Sequence, residues 1–389
     1  MREPLPCGSR TWRPVEVAGN GAIFADNVLP MTAGGSGSRL EEGPRGRRLC
    51  WTVLDRLHPD PVSSPFWRAI FQPEPDRLVR VLEESLPAVD FVALSDPVNE
   101  ELLLECVAAS VDEARYWQEP DEMDVALADP RLSAALAPVA ARIAASPAAT
   151  WWSAGLDPSR QVFVEKREGS VKAAPAFQGA RAVLEVWRDQ VTGPGTRHRG
   201  QWVGGPWWST PQWSILARDL ERYGQHPPVV AATTRSRPGL GAVGSLLEED
   251  THDAPTAVCW PVRPSRPARV FEIDGAAEWM GLVSTYGIDV TGTRIAHWSI
   301  ATGLDRRWVI PDWSAVASDY DAVHLTVNGY LTTSGRALSM GTESATFVAG
   351  WSPDVSFWLS DALEVVGPPQ SWAARERHPA RRWRPAETT

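Results

Sequence analysis

The stretch Ala257–Ile273, AVCWPVRPSRPARVFEI, contains two short apolar runs, AVCWPV and RVFEI, that are typical of β-strands. Similar runs lie on either side of it: VVAATT before it, and AVHLTV, ATFVAG and SFWL after it. Short helices interrupt the series, with Asp274 and Asp312 at positions where they can cap them. Many short strands with few helices predict an α+β domain with a mainly antiparallel sheet over residues 228–366.

The chain before this domain has more residues that favour helices. Residues 51–150 are rich in Ala, Leu and Glu, and the segment Asn99–Trp117 places apolar side chains at helical spacing. A second helix is predicted over Arg131–Ala145. Residues 151–227 form a mixed connecting region that is rich in Trp and Gly. We therefore expect an α+β fold with a helical N-terminal half and a mainly antiparallel-sheet C-terminal domain.

Both ends of the chain are poor in apolar anchors. Residues 1–50 are predicted to be largely irregular, and the Gly- and Arg-rich segment Met31–Arg48 is predicted to be a mobile loop. Residues 367–389, rich in Pro and Arg, are predicted to be an irregular tail.

Composition limits the classes of protein that fit. The chain of 389 residues has a formal net charge of -10, which disfavours a nucleic-acid-binding surface. No apolar run is long enough to cross a membrane, and the first residues lack the apolar core of a signal peptide. The four cysteines are far apart, so the sequence predicts neither a metal site nor a disulfide framework. We expect a cytoplasmic protein whose cofactor, if any, is unknown.

The strand AVHLTV provides the candidate site. In a strand, side chains alternate between the two faces, so His324, Thr326 and Asn328 would share the face opposite the apolar residues. Tyr330 would follow at the end of the strand, and Trp298 would supply an apolar wall. His324 and Tyr330 are the candidate catalytic residues, because a histidine can exchange a proton near pH 7. The alternative is that His324 is a buried histidine with its hydrogen bonds satisfied.

The 20 tryptophans suggest a second kind of site. Trp207 and Trp208 are consecutive on a Gly- and Pro-rich loop, and cannot both face inward if the backbone is extended. Tryptophan is favoured in ligand pockets and interfaces, so we predict that one of these two rings lines a cleft or an interface. The alternative is that both belong to the core.

The motif GLGAVG at Gly239–Gly244 fits the pattern of a dinucleotide-binding loop. That fold needs a full-length helix after the glycines, whereas Pro238 precedes them and Pro255 follows closely. The motif therefore predicts a turn, with a phosphate-contacting loop as the alternative.

Several phrases resemble a family of uncharacterised proteins found in actinobacterial genomes. The matching phrases are ARYWQEPDE, WWSTP, TTRSRPGLG, RWVIPDWSAVASDYDAVHLTVNGYLTTSGRA and AGWSPDVSFWL. This resemblance implies that the protein is related to that family, but it does not imply a particular reaction.

The order of certain residues also resembles ADP-ribosyltransferases. An arginine ends a strand (Arg235), a Ser-Thr pair follows (Ser284 and Thr285), and a glutamate comes later (Glu343). The resemblance implies that Arg235 contacts a phosphate or ribose of the cofactor. It also implies that the Ser-Thr pair supports a nicotinamide pocket and that Glu343 is catalytic, stabilising an oxocarbenium-like centre.

These observations leave two hypotheses about function. The first is a transferase acting on a nucleotide-like or aromatic small molecule. The second is a non-catalytic module that binds a protein partner or a small-molecule ligand through a Trp-rich surface. A buried His324 with both ring nitrogens paired would favour binding or a structural role, whereas an open row from His324 to Tyr330 beside a cleft would favour catalysis.

Overall fold

A computed structural model describes residues 39–60, 63–95, 100–167, 174–193, 197–198, 201–202, 207–211, 230–248, 256–375 and 382–386. Helices predominate in the N-terminal half and strands in the C-terminal half, which confirms the predicted α+β class. Among the described helices, none combines the length and the apolar character needed to cross a membrane.

The N-terminal half is a set of short helices with clear start signals. Asp121 and Asp129 cap the helices that follow them by accepting hydrogen bonds from backbone amides, and Pro130 occupies the first turn of one. The α-helices of this half are α1 Pro44–Leu57, α2 Pro65–Ala69, α3 Pro75–Ser85, α4 Glu100–Asp112, α5 Glu122–Leu127 and α6 Pro130–Ala144. Single 3-10 turns are Leu40–Glu42, Leu86–Ala88, Phe91–Ser95 and Pro147–Ala149.

The later helices lie between strands. They are α7 Ala180–Val191, α8 Val243–Leu246, α9 Ala276–Tyr286, α10 Thr291–Thr302, α11 Trp313–Val316 and α12 Val327–Thr333. The described strands are β1 Gln161–Arg167, β2 Arg197–His198, β3 Gln201–Trp202, β4 Ala231–Arg237, β5 Gly241–Ala242, β6 Thr256–Pro264, β7 Val270–Ile273 and β8 Gly287–Asp289, followed by β9 Arg307–Pro311, β10 Ala322–Leu325, β11 Ala337–Ser339, β12 Ser344–Phe347, β13 Val355–Trp358, β14 Leu363–Val365, β15 Gln370–Arg375 and β16 Arg382–Pro385.

A ten-stranded sheet forms the centre of the molecule. Its strand order is β16-β15-β6-β1-β4-β13-β10-β7, with β14 paired to β6 and β5 paired to β4. All pairs in this sheet are antiparallel except β10 with β7. A second sheet of four strands has the order β11-β12-β9-β8. One face of the central sheet, with Val323 and Phe357, belongs to the large core that includes the helices.

The prediction for Met31–Arg48 is wrong from residue 40 onward, and residues 31–38 lie outside the described part of the chain. Helix α1 begins at Pro44 and so crosses the predicted boundary at residue 50. The glycines of this segment allow close packing: a Cβ on Gly43 would lie 2.2 Å from the carbonyl oxygen of Leu331, and one on Gly46 would lie 1.8 Å from that of Leu40. Arg45 is buried in an ion pair. The glycines and Arg45 of this segment are therefore part of the packed interior and do not form a solvent-exposed loop.

The prediction of an irregular tail after residue 367 is also wrong. Strand β15 pairs with β6, and β16 pairs with β15, which extends the central sheet. Trp372 and Trp383 are buried, and the indole of Trp383 donates to the carbonyl of Ser245. Two tryptophans thus supply apolar anchors in a segment with few others.

The motif GLGAVG forms a turn, as predicted. Gly239 and Gly241 have positive φ angles between the antiparallel strands β4 and β5. Helix α8, which follows, has only 4 residues, so the parallel strand-helix-strand unit of a dinucleotide site is not formed here.

Candidate functional site

A row of polar side chains crosses one face of the central sheet. His324 of β10 is opposite Glu272 of β7 and Ser356 of β13, and Ser356 is opposite Thr233 of β4. Residues directly opposite each other on neighbouring strands point to the same face. The sheet therefore brings together residues that are far apart in the sequence.

His324 is held between two carboxylates. Its Nδ1 lies 2.6 Å from Oε2 of Glu272, and its Nε2 lies 3.4 Å from Oδ1 of Asp354. Burial alone would lower the pKa of this imidazole, but the hydrogen bonds and charges of Asp354 and Glu272 outweigh that effect and raise its pKa to about 9. His324 is therefore an imidazolium at neutral pH and has no free nitrogen with which to take a proton.

Asp354 occupies a strained backbone conformation at the centre of these contacts. Its φ of 57° is the only positive value among the described residues other than glycine. The carboxylate accepts hydrogen bonds from the backbone N–H of Arg235 at 2.9 Å and from the hydroxyl of Thr234 at 3.3 Å. Its Oδ1 also lies 3.3 Å from Nε of Arg235. These contacts hold Asp354 in a conformation that costs about 1–3 kcal/mol.

The same group of residues fastens a segment of backbone onto the sheet. Nη2 of Arg235 donates to the carbonyls of Ala154 and Gly155, and Oε1 of Glu272 accepts from the amide of Leu156. We call Glu272, His324, Asp354 and Arg235 the histidine network. Arg235 is 5% exposed with its charge matched by Asp354, so it is not the free phosphate-binding arginine that the sequence predicted.

The predicted outward row of Thr326, Asn328 and Tyr330 is wrong. Strand β10 ends at Leu325, and Thr326 caps helix α12 by accepting from the amide of Gly329. Asn328 donates to the carbonyl of Asp274. Tyr330 is fully buried, with its hydroxyl 3.1 Å from that of Tyr116. Because the chain turns helical after Leu325, strand alternation no longer determines which way these side chains face.

The residues that resemble an ADP-ribosyltransferase are not joined by contacts among the described residues. Glu343 is exposed just before β12 of the four-stranded sheet, whereas Arg235 lies in the ten-stranded sheet. The hydroxyls of Ser284 and Thr285 donate to carbonyls of their own helix. A catalytic role for Glu343 stays a prediction without a structural partner.

The tryptophans mostly belong to the core. Trp298 is fully buried and its indole donates to the carbonyl of Trp207, so it is not a wall of an open pocket. Trp207 and Trp208 are both half-buried, and the ring of Trp207 stacks on that of Tyr116 at 6.0 Å between centroids. Among the described residues, the aromatic side chains of Trp67 and Phe71 are more exposed than those of Trp207 and Trp208.

The raised pKa of His324 predicts a pH dependence of stability. A group whose pKa rises on folding, here from 6.5 to about 9, stabilises the fold fully below pH 6.5, and that contribution is lost as the pH rises through 9. We expect the free energy of unfolding to fall by on the order of 3 kcal/mol between pH 6.5 and 9.5 because of this group. Urea unfolding at several pH values measures it, with His324→Gln as the control that lacks the decline. An equal decline in both proteins would contradict the prediction.

A cleft of about 60 Å³ lies where the helical half meets the C-terminal half. It is bordered by α1, by the loop after α4, by α5 and by the segment that follows α12. We call it the arginine cleft, because four of its lining residues are arginines and two are carboxylates. It is lined by Glu42, Pro44, Arg45, Arg47, Arg115, Tyr116, Pro120, Asp124, Val125, Ala128, Ala301, Thr302, Gly335, Arg336 and Ala337.

Arg45 is already neutralised within the protein. Its guanidinium pairs with the buried carboxylate of Asp124 and donates to the carbonyl of Ser110. Burial opposes its charge, but the charge and hydrogen bond of Asp124 outweigh burial and raise the pKa of Arg45. Glu42 lies 3.2 Å from the exposed guanidinium of Arg39. The carboxylates of the cleft therefore have partners other than Arg47 and Arg336.

Arg47 and Arg336 lack such compensation. Arg47 is 6% exposed, donates only to the backbone carbonyls of Glu41 and Glu42, and has a buried Nε without a partner. Burial lowers its pKa to about 10; Asp124 offsets this in part, and the cations Arg336 and Arg45 lower it further. Burial also lowers the pKa of Arg336, whose guanidinium has no ion pair or hydrogen bond to any described residue.

The sequence analysis missed this cleft. Arg45 and Arg47 fall in GPRGRR, which looks like a hydrated loop, and Arg336 falls in a stretch interpreted only through His324. One signal was available: Pro44–Arg48 contains three arginines and no acidic residue, in a chain whose net charge is -10.

Comparisons of the chain with protein-family models, with curated proteins and with solved structures find no match, so its chemistry rests on its own residues.

Proposed function

We propose that this protein binds a small anionic molecule in the arginine cleft, as a binding protein and not through catalysis by His324. The observation that carries the proposal is the pair Arg47 and Arg336, one guanidinium buried and the other half-buried, neither of which forms an ion pair with a carboxylate of the described residues. A buried charge without a counter-ion is unfavourable unless a ligand or partner compensates it. An anion between these two groups would supply that compensation.

The histidine network supports the non-catalytic part of the proposal. Both nitrogens of His324 are within reach of carboxylates, and the residue is 1% exposed. A general base needs a free nitrogen and access to a substrate. Transfer chemistry on a nucleotide-like molecule stays a prediction, and it would need a nucleophile or base elsewhere in the chain.

Thermal denaturation with added anions tests the proposal. Glycerol phosphate, succinate and sulfate are compared with chloride at equal ionic strength, and we expect at least one of the three to raise Tm. A ligand at 100 times its Kd adds about 2.7 kcal/mol to the free energy of unfolding. Arg336→Gln should abolish the response.

Arg181→Gln is the matched control for this experiment, since Arg181 is 93% exposed on α7 and its loss changes the net charge equally. This variant should respond like the wild type. The proposal fails if no anion exceeds chloride, or if both variants respond alike.

A further inference from the structure

We infer that the group bound in the arginine cleft is a doubly ionised phosphate carried by a small molecule. This inference rests on the proposed function and goes further by naming the chemical class of the ligand.

Charge favours a doubly ionised group. Arg45 is paired with Asp124, whereas neither Arg47 nor Arg336 forms an ion pair with a described carboxylate; Asp124 and Glu42 act on these two guanidinium groups only from beyond ion-pair distance. A singly charged carboxylate would leave one of them uncompensated. A phosphate monoester carries a charge of about -1.5 to -2 at pH 7 and matches both.

The separate elements that supply the arginines also favour a phosphate. Arg47 comes from α1, Arg336 from the turn between α12 and β11, and Arg115 from the loop after α4. A planar carboxylate is best matched by the two parallel N–H groups of one guanidinium. A phosphate presents three oxygens in a tetrahedral arrangement, which suits donors that come from separate elements.

The size of the cleft limits the ligand. One water needs about 10–15 Å³ of such a cavity, so a cleft of about 60 Å³ accommodates a few groups of that size. Gly335 keeps this space open: its φ is +76°, and a Cβ there would lie 3.3 Å from Cγ of Pro44 and 3.7 Å from Cε1 of Tyr116. A phosphate group fits inside, whereas the rest of the molecule that carries it would lie outside.

The inference predicts how binding changes with pH. The second pKa of a phosphate monoester is about 6, so only about a tenth of it is doubly ionised at pH 5 and nearly all of it at pH 7.5. We expect glycerol phosphate to bind about tenfold more tightly at pH 7.5 than at pH 5. The titratable side chains that line the cleft are Arg45, Arg47, Arg115, Arg336, Glu42, Asp124 and Tyr116.

The experiment is isothermal titration of the full chain with glycerol phosphate, sulfate and succinate at both pH values. Sulfate is doubly ionised at both, so its affinity reports any change in the protein itself, and we expect that change to be less than threefold. Succinate also carries two charges at pH 7.5, but they lie on two separate planar carboxylates, so it should bind at least tenfold more weakly than glycerol phosphate.

Variants locate the site. Arg336→Gln should weaken the binding of glycerol phosphate at least tenfold. Arg115→Gln, at an exposed position where a substitution does not endanger folding, should weaken it about threefold. Arg181→Gln should bind like the wild type.

Two kinds of result would contradict these expectations, and they have different consequences. Tighter binding of succinate, or an affinity for glycerol phosphate that does not follow its ionisation, would overturn the phosphate inference and leave anion binding intact. Absence of binding by all three anions would overturn both.

Discussion

Replacement of His324 by alanine is expected to lower the free energy of unfolding by about 3–5 kcal/mol. The imidazolium lies between Glu272 and Asp354, and its removal leaves the carboxylate of Asp354, 2% exposed, with one cation fewer. Urea unfolding at pH 7, followed by tryptophan fluorescence, measures the loss.

His297→Ala is the matched control for this variant. His297 is half-buried on α10, and its one described hydrogen bond is a 3.5 Å contact with the carbonyl of Trp117, so we expect a loss below about 1 kcal/mol. If His324→Ala were no more costly than His297→Ala, the histidine network would not be a stabilising element of the fold.

Arg45→Met is expected to lower the free energy of unfolding by about 3 kcal/mol. It removes the cation paired with Asp124 and the donor to Ser110, both of which are buried. Breaking a buried ion pair from one side costs about 3–5 kcal/mol, and we choose the lower value because Arg48 stays 3.4 Å from Asp124.

Two further variants separate this effect from general damage to the cleft. Arg115→Met, at an exposed position on the same cleft, should change the free energy of unfolding by no more than about 0.5 kcal/mol. The double variant Arg45→Met with Asp124→Leu should recover part of the loss, because it also removes the buried carboxylate that the single variant leaves without Arg45. No recovery in the double variant would show that Arg45 acts by shape alone.

The strand series of the C-terminal half could be predicted because its signal is local. The runs AVCWPV and RVFEI correspond to β6 (Thr256–Pro264) and β7 (Val270–Ile273), each bounded by residues that break strands. The helix predicted over Arg131–Ala145 is α6, whose Asp and Pro start signals are visible in the sequence. Patterns of this kind depend only on neighbours along the chain.

The candidate site could be predicted only in part, because its geometry depends on partners far along the chain. Asp354 is separated from His324 by two strands of the smaller sheet, and its pairing with His324 and Arg235 follows from strand order. Thr326 shows a local failure: its hydroxyl caps α12, an interaction that competes with continuing the strand. The cap at Thr326 also needs a glycine at position 329, because a Cβ there would lie 2.2 Å from the carbonyl oxygen of Ile273.

Helix α1 packs against α12 as well as against α4 and α6. During synthesis α4 and α6 are available early, but the surface of α1 that meets α12 stays uncovered until the ribosome has passed residue 333. At about 5–20 residues per second, that interval is on the order of 15–50 s. Helix α1 thus spends most of the time of translation with the side that later contacts α12 uncovered.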